Sequence, residues 1–223
     1  MSATGTRQAE RVAATRQAIV AAAERLFAEQ GVGSVSNRQI SEAAGQGNNA
    51  AVGYHFGTKT ELIRAIVRKH ADGMEPLRER RLAAAEGSVS LRDWVECLVG
   101  PITEHFDSLG APSWFARFAA QLQADPGLRP IVKAETLRSA GFERTVAGIR
   151  RCLPHLPEPV VEERFRMMQL LLVLAPASRE AALAEGAPVY GDTWHEAGSA
   201  LVDAVVGLLQ TPHTTQETAR STT

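Results

Sequence analysis

The fold is indicated most clearly by residues 31–62, which read GVGSVSNRQISEAAGQGNNAAVGYHFGTKTEL. Ser36 can cap a short helix, because its hydroxyl can accept a hydrogen bond from an unpaired backbone N–H of the first turn. Ile40 and Ala44 recur at helical spacing and would lie on the buried side of that helix. Gly45 then ends it, since glycine reaches left-handed backbone angles at little cost. A short helix followed by a tight turn is therefore expected.

A second short helix is expected over residues 50–55. Two turns are too few to be stable alone, so this helix must be held by packing, for which Val52 and Phe56 supply the apolar anchors. Thr58 is followed three residues later by Glu61, which is the pattern of a capping box. The pattern predicts that a long helix begins here and continues into the rest of the chain.

Two short helices separated by a tight turn are what a protein needs to place one helix in the major groove of DNA. The second helix carries Asn49, Ala50, Ala51 and Gly53, which are small enough to approach base edges closely. Polar groups suited to contacts with the phosphate backbone follow directly. They are Tyr54, His55 and Lys59. The alternative is an ordinary helical hairpin with a polar surface.

Three parts of residues 12–70 resemble the TetR family of transcriptional regulators. The first helix ends in an aromatic residue and a glycine, at Phe27 and Gly31, as is common in that family. The family pattern T-x-x-x-I-A-x-x-A-G is matched by residues 36–45, with Ser36 in place of the usual Thr. The hallmark Y-x-F, followed by a small residue, Ser or Thr, and Lys, is matched by residues 54–59.

This resemblance implies an all-α protein. Its N-terminal part would be a three-helix helix-turn-helix DNA-binding domain, and its C-terminal part a helical domain for ligand binding and dimerisation. The corresponding boundaries are a flexible arm at 1–11, the DNA-binding domain at 12–60, the effector-binding and dimerisation domain at 61–210, and a disordered tail at 211–223. The resemblance also implies a homodimer that binds a palindromic operator, acts as a repressor, and is released by a small apolar or amphipathic effector.

Ten residues are expected to contact DNA, nine of them carried over position by position from the resemblance and Asn48 because the turn is longer than usual. Phosphate contacts are expected from Ser36, Tyr54, His55 and Lys59. Base contacts are expected from Asn37, Arg38, Asn48, Asn49, Ala50 and Ala51. The turn at residues 46–49 is one residue longer than the usual family turn, and the second helix is unusually small-sided. Sequence readout is therefore expected to depend on the asparagines and Arg38, or on DNA shape.

The charge distribution agrees with a DNA-binding N-terminal region. Residues 1–69 hold nine Lys and Arg against five Glu, a net charge of +4, whereas the remainder holds 15 basic and 20 acidic residues, a net charge of −5. A basic head on an acidic body fits contact with nucleic acid. The alternative is chance variation on a solvated surface.

Composition favours an intracellular helical protein. The chain has 223 residues, of which 44% are hydrophobic, and no secretory segment is recognised at its start. The apolar run at residues 167–175 is too short to span a membrane and predicts a buried helix. Cys97 and Cys152 form no metal-binding pair, and no catalytic or nucleotide-binding motif is recognised. A cytoplasmic location, no membrane association, no metal, no cofactor and no enzymatic activity are therefore expected.

The remaining helices are predicted at about 90–108, 112–124, 128–152, 157–184 and 193–210, after a fourth helix from about 60 to 81 that Gly73 and Pro76 should kink or divide. In TetR-like proteins bulky residues of the middle helices line an effector pocket. The candidates are Trp94, His105, Phe106, Trp114, Phe118, Phe142 and Met167. Apolar stripes on the last two helices are candidates for a dimer interface. They include Phe165, Met168, Leu172, Trp194, Leu201 and Val205. Packing within one chain is the alternative for both sets.

Two rival functions stay open. The first is a helical small-molecule-binding or scaffolding protein that binds no DNA sequence specifically, which the longer turn and small-sided helix would allow. The second is an all-helical enzyme, whose site would have to assemble from distant residues. Strong, salt-dependent binding to duplex DNA would argue against both.

Overall fold

The structure, a computed structural model, describes residues 3–48 and 50–213, and every regular element in those ranges is an α-helix. The all-α fold with an N-terminal helix-turn-helix and a C-terminal helical body is therefore confirmed. The helices are α1 (Ala3–Gln30), α2 (Asn37–Ala43), α3 (Ala51–Phe56), α4 (Lys59–Ala84), α5 (Leu91–Leu109), α6 (Phe115–Ala124), α7 (Arg129–Thr136), α8 (Ala140–Arg151), α9 (Glu158–Ala184) and α10 (Trp194–Gln210).

The first helix is longer than the sequence predicts. It begins at Ala3, so residues 3–11 are helical and the prediction of a flexible arm is wrong for them. Residues 7–14 are mostly Arg, Gln, Ala and Glu, which are good helix formers, and they extend the helix beyond its buried part. The apolar packing of α1 begins at Ile19, which is fully buried.

Ser36 and Thr58 cap α2 and α4, as the sequence predicts, but only the Thr58 half of the predicted Thr58–Glu61 capping box is formed. The Ser36 hydroxyl accepts a hydrogen bond from the backbone N–H of Gln39, whose side chain in turn accepts one from the backbone N–H of Ser36. Gly45, which follows α2, has a φ of +68°, a backbone conformation that favours glycine. Thr58 caps α4 by accepting a hydrogen bond of 3.1 Å from the N–H of Glu61. The head is therefore held by local hydrogen bonds as well as by its core.

Helix α4 runs without interruption from the head into the body. Gly73 and Pro76 were predicted to kink or divide this helix. The division is wrong, because both residues lie inside the helix, and the kink stays a prediction. Gly73 instead allows a close approach: a Cβ atom there would lie 2.8 Å from Cε1 of His105 on α5. The glycine therefore reflects packing between two helices.

One predicted helix is two. The sequence predicts a helix over residues 128–152, but the structure has α7 and α8 with a break at residues 137–139. Ser139 caps α8 by accepting a hydrogen bond of 2.8 Å from the N–H of Phe142, and its hydroxyl donates to a carboxylate oxygen of Glu75 at 2.5 Å. This polar contact with α4 fixes the start of α8 and explains the break.

Buried apolar side chains form two clusters. The first includes core residues of α1 to α4 together with residues of α5 and α6, and within it the rings of Phe27 and Phe118 stack with centroids 5.9 Å apart. The second lies around α5, α8, α9 and α10 and includes Val95, Ile149 and Val205. Helix α5 contributes to both clusters and packs against α4 and α10.

Helix α9 carries an exposed apolar face. Met167, Leu170 and Leu174 are exposed, so the prediction that the run at 167–175 is a buried helix is wrong for these positions. Within the described part of the chain, α9 is the helix whose length and composition would suit a membrane span, a test that core helices also pass. Because Met168 on the opposite side is buried, the helix packs on the body through one face and leaves the other open.

Candidate nucleic-acid interface

Helix α3 presents a small, polar face to solvent. Gly53 and Tyr54 are exposed, and 83% of the Tyr54 surface is accessible. No atom lies within 4 Å of the position that a Cβ would take on Gly53, so the space beside the helix is open. Ala50 is exposed just before the helix. A helix with an unobstructed face of small residues fits the dimensions of a major groove.

The opposite face of α3 anchors the helix. Ala51, Val52 and Phe56 are buried in the first core cluster. The prediction that Ala51 faces the bases is therefore wrong. The helix begins at Ala51 after the longer turn, and at this register its apolar side points inward with the neighbouring Val52.

The candidates on α2 differ in their availability. The Ser36 hydroxyl is engaged in the cap and donates to Oε1 of Gln39 at 2.7 Å, so a phosphate contact would have to compete with the cap. Arg38 is exposed and its guanidinium donates to Glu42 at 2.8 Å. An exposed ion pair of this kind contributes little to stability, so Arg38 can release Glu42 and contact DNA instead. Asn37 is half-buried at the start of the helix.

The turn between α2 and α3 contains two candidate asparagines. Asn48 is exposed, and its side-chain oxygen accepts a hydrogen bond of 2.9 Å from the N–H of Ala50. Asn48 thus fixes the backbone just before α3, beside the exposed face of that helix. Asn49 lies outside the described residues, so its predicted base contact stays a prediction.

Lys59 has protein partners. Its ammonium donates to the carbonyl oxygen of Val35 at 2.6 Å and to that of Val32, and it lies 5.3 Å from the centre of the Phe27 ring. Burial lowers its pKa. Lys59 therefore connects the loop between α1 and α2 to the start of α4. This structural role was not predicted from the sequence, which predicted only a phosphate contact.

Arg16 also supports this site, although it was not among the residues predicted from the sequence. Its guanidinium donates to the backbone carbonyl of His55 and lies 4.2 Å from the centre of the Phe56 ring. These contacts hold the end of α3 against α1. His55 itself is half-buried, and its ring meets that of Tyr54 edge to face at 5.0 Å. No pattern marks Arg16, because its partners lie about 40 residues away and one of them is a backbone atom.

Behind the head, three buried polar side chains connect three helices. Nε2 of His70 on α4 lies 2.9 Å from a carboxylate oxygen of Glu24 on α1, and Nδ1 lies 2.8 Å from Nε2 of His105 on α5. We call these three hydrogen-bonded side chains the Glu24–His70–His105 relay. All three residues are buried, and the His70 ring stacks on that of Phe115 at 3.6 Å. The relay therefore joins α1 of the head to α4 and α5.

The relay constrains its own protonation. Because two imidazolium rings would oppose N–H to N–H across 2.8 Å, at most one of the two histidines can be charged in this arrangement. Burial, and the positive charges of His70 and Lys69, lower the pKa of His105 to about 4. Burial alone would raise the pKa of Glu24, but the hydrogen bond and charge of His70, together with Lys69, lower it. The relay is therefore built around an ionised carboxylate and a neutral His105.

The free energy of unfolding is expected to fall as the pH is lowered from about 6.5 to about 4. The folded-state pKa of His105, about 4, is below its ordinary value of 6.5. Between these values the unfolded chain binds the proton more readily, so acid favours unfolding. At about 1.4 kcal/mol per pKa unit, the loss reaches roughly 3 kcal/mol. Urea denaturation at pH 7 and pH 4.5 measures it. The His105→Asn variant should lack this component, and an unchanged pH dependence in that variant would contradict the assignment.

The predicted pocket residues do not come together in one place. His105, Phe106 and Phe118 are buried around the head–body junction, with Trp114 packed beside them. Trp94 and Phe142 belong to the second cluster, and Met167 is exposed on α9. A single pocket lined by all seven is therefore ruled out by their placement. Most of them are explained by core packing.

The predicted dimer residues are also largely internal. The side chains of Met168, Trp194, Leu201 and Val205 are buried within one chain, whereas Phe165 and Leu172 are half-buried. Packing of α9 and α10 against the rest of the chain accounts for the buried members. The surface left free on α9 is the neighbouring face that carries Met167, Leu170 and Leu174.

A capped helix-turn-helix with an exposed second helix defines a class of DNA-binding folds, and comparison with known proteins narrows that class. Residues 19–66 match the family described as "Bacterial regulatory proteins, tetR family". The resemblance to the TetR family is therefore confirmed: the chain carries the N-terminal domain of that family on the fold of a TetR-family transcriptional regulator.

Solved structures agree on the fold. The chain is similar to AmtR from Mycobacterium smegmatis, with 21% sequence identity and a TM-score of 0.56, over 89% of this chain and 87% of AmtR. It is also similar to the TetR family transcriptional regulator PfmR from Thermus thermophilus, with 19% identity and a TM-score of 0.52, over 88% of this chain and 99% of PfmR. No curated protein matches the chain.

Proposed function

We propose that this protein is a ligand-responsive transcriptional repressor that binds a palindromic operator as a homodimer. The observation that carries the proposal is the open face of α3, where exposed Gly53 and Tyr54 stand on a helix fixed by its buried side. The basic residues of the head supply the long-range attraction to DNA, whereas the body is acidic.

The exposed apolar face of α9 supports the homodimer. Met167, Leu170 and Leu174 would remain in contact with water in a monomer, and apolar patches of this kind mark interaction surfaces. A twofold axis at this face would present two α3 helices to two half-sites. Half-sites of such dimers lie about 34–36 Å apart or a multiple of that distance.

Release by an effector follows from a shift between two states of the dimer. DNA favours the state in which both α3 helices fit the operator, and an effector releases it by binding the other state more tightly. A hundredfold release requires a ratio of affinities worth roughly 2.7 kcal/mol. The continuous α4 and the Glu24–His70–His105 relay are the connections through which we expect the body to act on the head.

Fluorescence anisotropy with duplex fragments flanking the gene for this protein tests the proposal. We expect tight binding that survives random competitor DNA and weakens steeply between two salt concentrations. Binding no stronger than to random duplex would favour the rival function, a helical small-molecule-binding or scaffolding protein. The buried Ala51 and the engaged Lys59 support that rival, because both reduce the groups available for DNA.

The Tyr54→Ala variant should bind every duplex about tenfold more weakly, since we expect the exposed tyrosine to contact the phosphate backbone and not the base edges. A tenfold loss corresponds to about 1.4 kcal/mol. Binding to operator and random duplex, measured side by side, checks the result. A variant that changes sequence preference while keeping its affinity for random DNA would show that Tyr54 reads bases.

A further inference from the structure

A cavity of about 520 Å³ lies between α9 and α10, and none of the seven residues predicted as a pocket lines it. Thr103 of α5, Leu171 and Ala175 of α9, Ala200 of α10 and Tyr190 of the connecting segment all line it. Its walls are mainly apolar with a few polar groups. This volume and this composition are typical of sites for small organic molecules.

Arg179 gives the cavity a fixed positive charge. Its terminal nitrogens donate to the backbone carbonyls of Tyr190, Gly191 and Thr193, and its guanidinium lies 5.2 Å from the centre of the Trp194 ring. These contacts hold the side chain in one place. Among the described residues, no carboxylate lies within 4 Å of this guanidinium. Its direct partners are backbone carbonyls and the Trp194 ring, and the carboxylate of Glu196 interacts with it only at longer range.

One hydrogen-bond donor of Arg179 is unused. Its Nε atom is buried and has no acceptor within the described ranges. The nearby carboxylate of Glu196 is occupied by the backbone N–H groups of Asp192 and Thr193, at 2.7 and 3.1 Å. An unpaired buried donor on a charged group is costly, typically by about 1–3 kcal/mol or more.

We propose that this cavity binds a small amphipathic anion, such as an organic carboxylate. The apolar part lies among the side chains of Leu171, Ala175 and Ala200, and the acidic group pairs with Arg179. The positive charge of Arg179 and the apolar walls together select this class over neutral apolar compounds. As a regulatory site, the cavity rests on the proposed function, because Leu171 and Ala175 adjoin Leu170 and Leu174 of the proposed dimer face.

The test uses 8-anilinonaphthalene-1-sulfonate as a fluorescent amphipathic anion, with decanoate and decanol as competitors of the same chain length. We expect saturable binding of one probe per chain. Decanoate should displace the probe at a concentration at least tenfold below that of decanol. Equal displacement by the two competitors would overturn the proposed anion selectivity, and absence of probe binding would overturn the site.

Two variants and a matched control locate the binding. Ala200→Phe fills the cavity and should weaken probe binding at least tenfold, whereas Ala147→Phe on the exposed face of α8 should not. Arg179→Met should bring decanoate to the level of decanol. Circular dichroism verifies that each variant is folded. Unchanged binding in Ala200→Phe would place the probe elsewhere, on the exposed face of α9, and would refute the proposal.

These measurements contain no DNA, so they separate the two proposals. Anion binding in a protein that ignores DNA would retain the site and reject the repressor. Specific DNA binding without anion binding would do the reverse. If both hold, decanoate should weaken operator binding in the wild type and not in Arg179→Met.

Discussion

Replacing Glu24 with leucine is expected to lower the free energy of unfolding by about 1–3 kcal/mol. The change removes the carboxylate that lies 2.9 Å from Nε2 of His70 and 3.2 Å from Nζ of Lys69. The buried Nε2 of His70 is then left without its hydrogen-bond partner, and this unsatisfied polar group accounts for the magnitude. Urea denaturation followed by circular dichroism at pH 7 measures the loss.

The controls for Glu24→Leu use the same helix and the same relay. Glu29→Leu, at an exposed position of α1, should change stability by less than about 0.5 kcal/mol. The double variant Glu24→Leu/His70→Leu should recover at least half of the loss, because replacing both members of a buried polar pair by apolar groups is often tolerated. Additive losses in the double variant would show that the two residues do not act as a pair.

Replacing Gly53 with leucine should weaken operator binding at least a hundredfold while leaving the protein as stable as before or more so. Space for a side chain is open in the free protein, and glycine inside a helix is less favourable than leucine by roughly 1 kcal/mol. In the complex the same side chain would hold α3 away from base edges whose contacts contribute about 1–3 kcal/mol each. Anisotropy and thermal unfolding measure the two effects.

The matched control for Gly53→Leu is Ala147→Leu, on an exposed face of α8 in the body. It should leave DNA binding and stability nearly unchanged. If Gly53→Leu bound the operator as well as the wild type, the open face of α3 would not be the face that enters the groove.

The head could be predicted closely because its signals are local. Ser36, Gly45 and Thr58 act through hydrogen bonds and backbone angles within three residues of their own position, so the pattern alone indicates the helix boundaries. The predicted start of α1 was wrong for a related reason. The apolar stripe marks only the buried part of the helix, whereas residues of high helix propensity continue beyond it.

The interior of the body could not be predicted in the same way. The break before α8 depends on the contact of Ser139 with Glu75, 64 residues away, and Gly73 reflects the nearness of His105. An apolar stripe shows that a helix is buried but not what buries it. The apolar stripes that contain Met168 and Leu201 therefore fit a core and a dimer interface equally well. Only the packing shows that both residues are buried within one chain.

The functional assignments depended on the same distinction. Tyr54 is exposed, as its predicted phosphate contact requires, and that contact stays a prediction, whereas Ala51 is buried because its position depends on the register of a turn that is longer than usual. The relay and the cavity join residues far apart in the chain. No pattern of spacing could have assembled Glu24 with His105, or Arg179 with Thr103.

The stacking of Phe27 on Phe118 has a consequence for engineering. Because the first core cluster contains residues of both the head and the body, the head has no complete interior of its own. A head transplanted from another regulator would meet α6 with side chains that were selected against a different surface. Operator specificity is therefore exchanged most safely at the exposed residues of α2 and α3, on a scaffold whose remaining helices stay together.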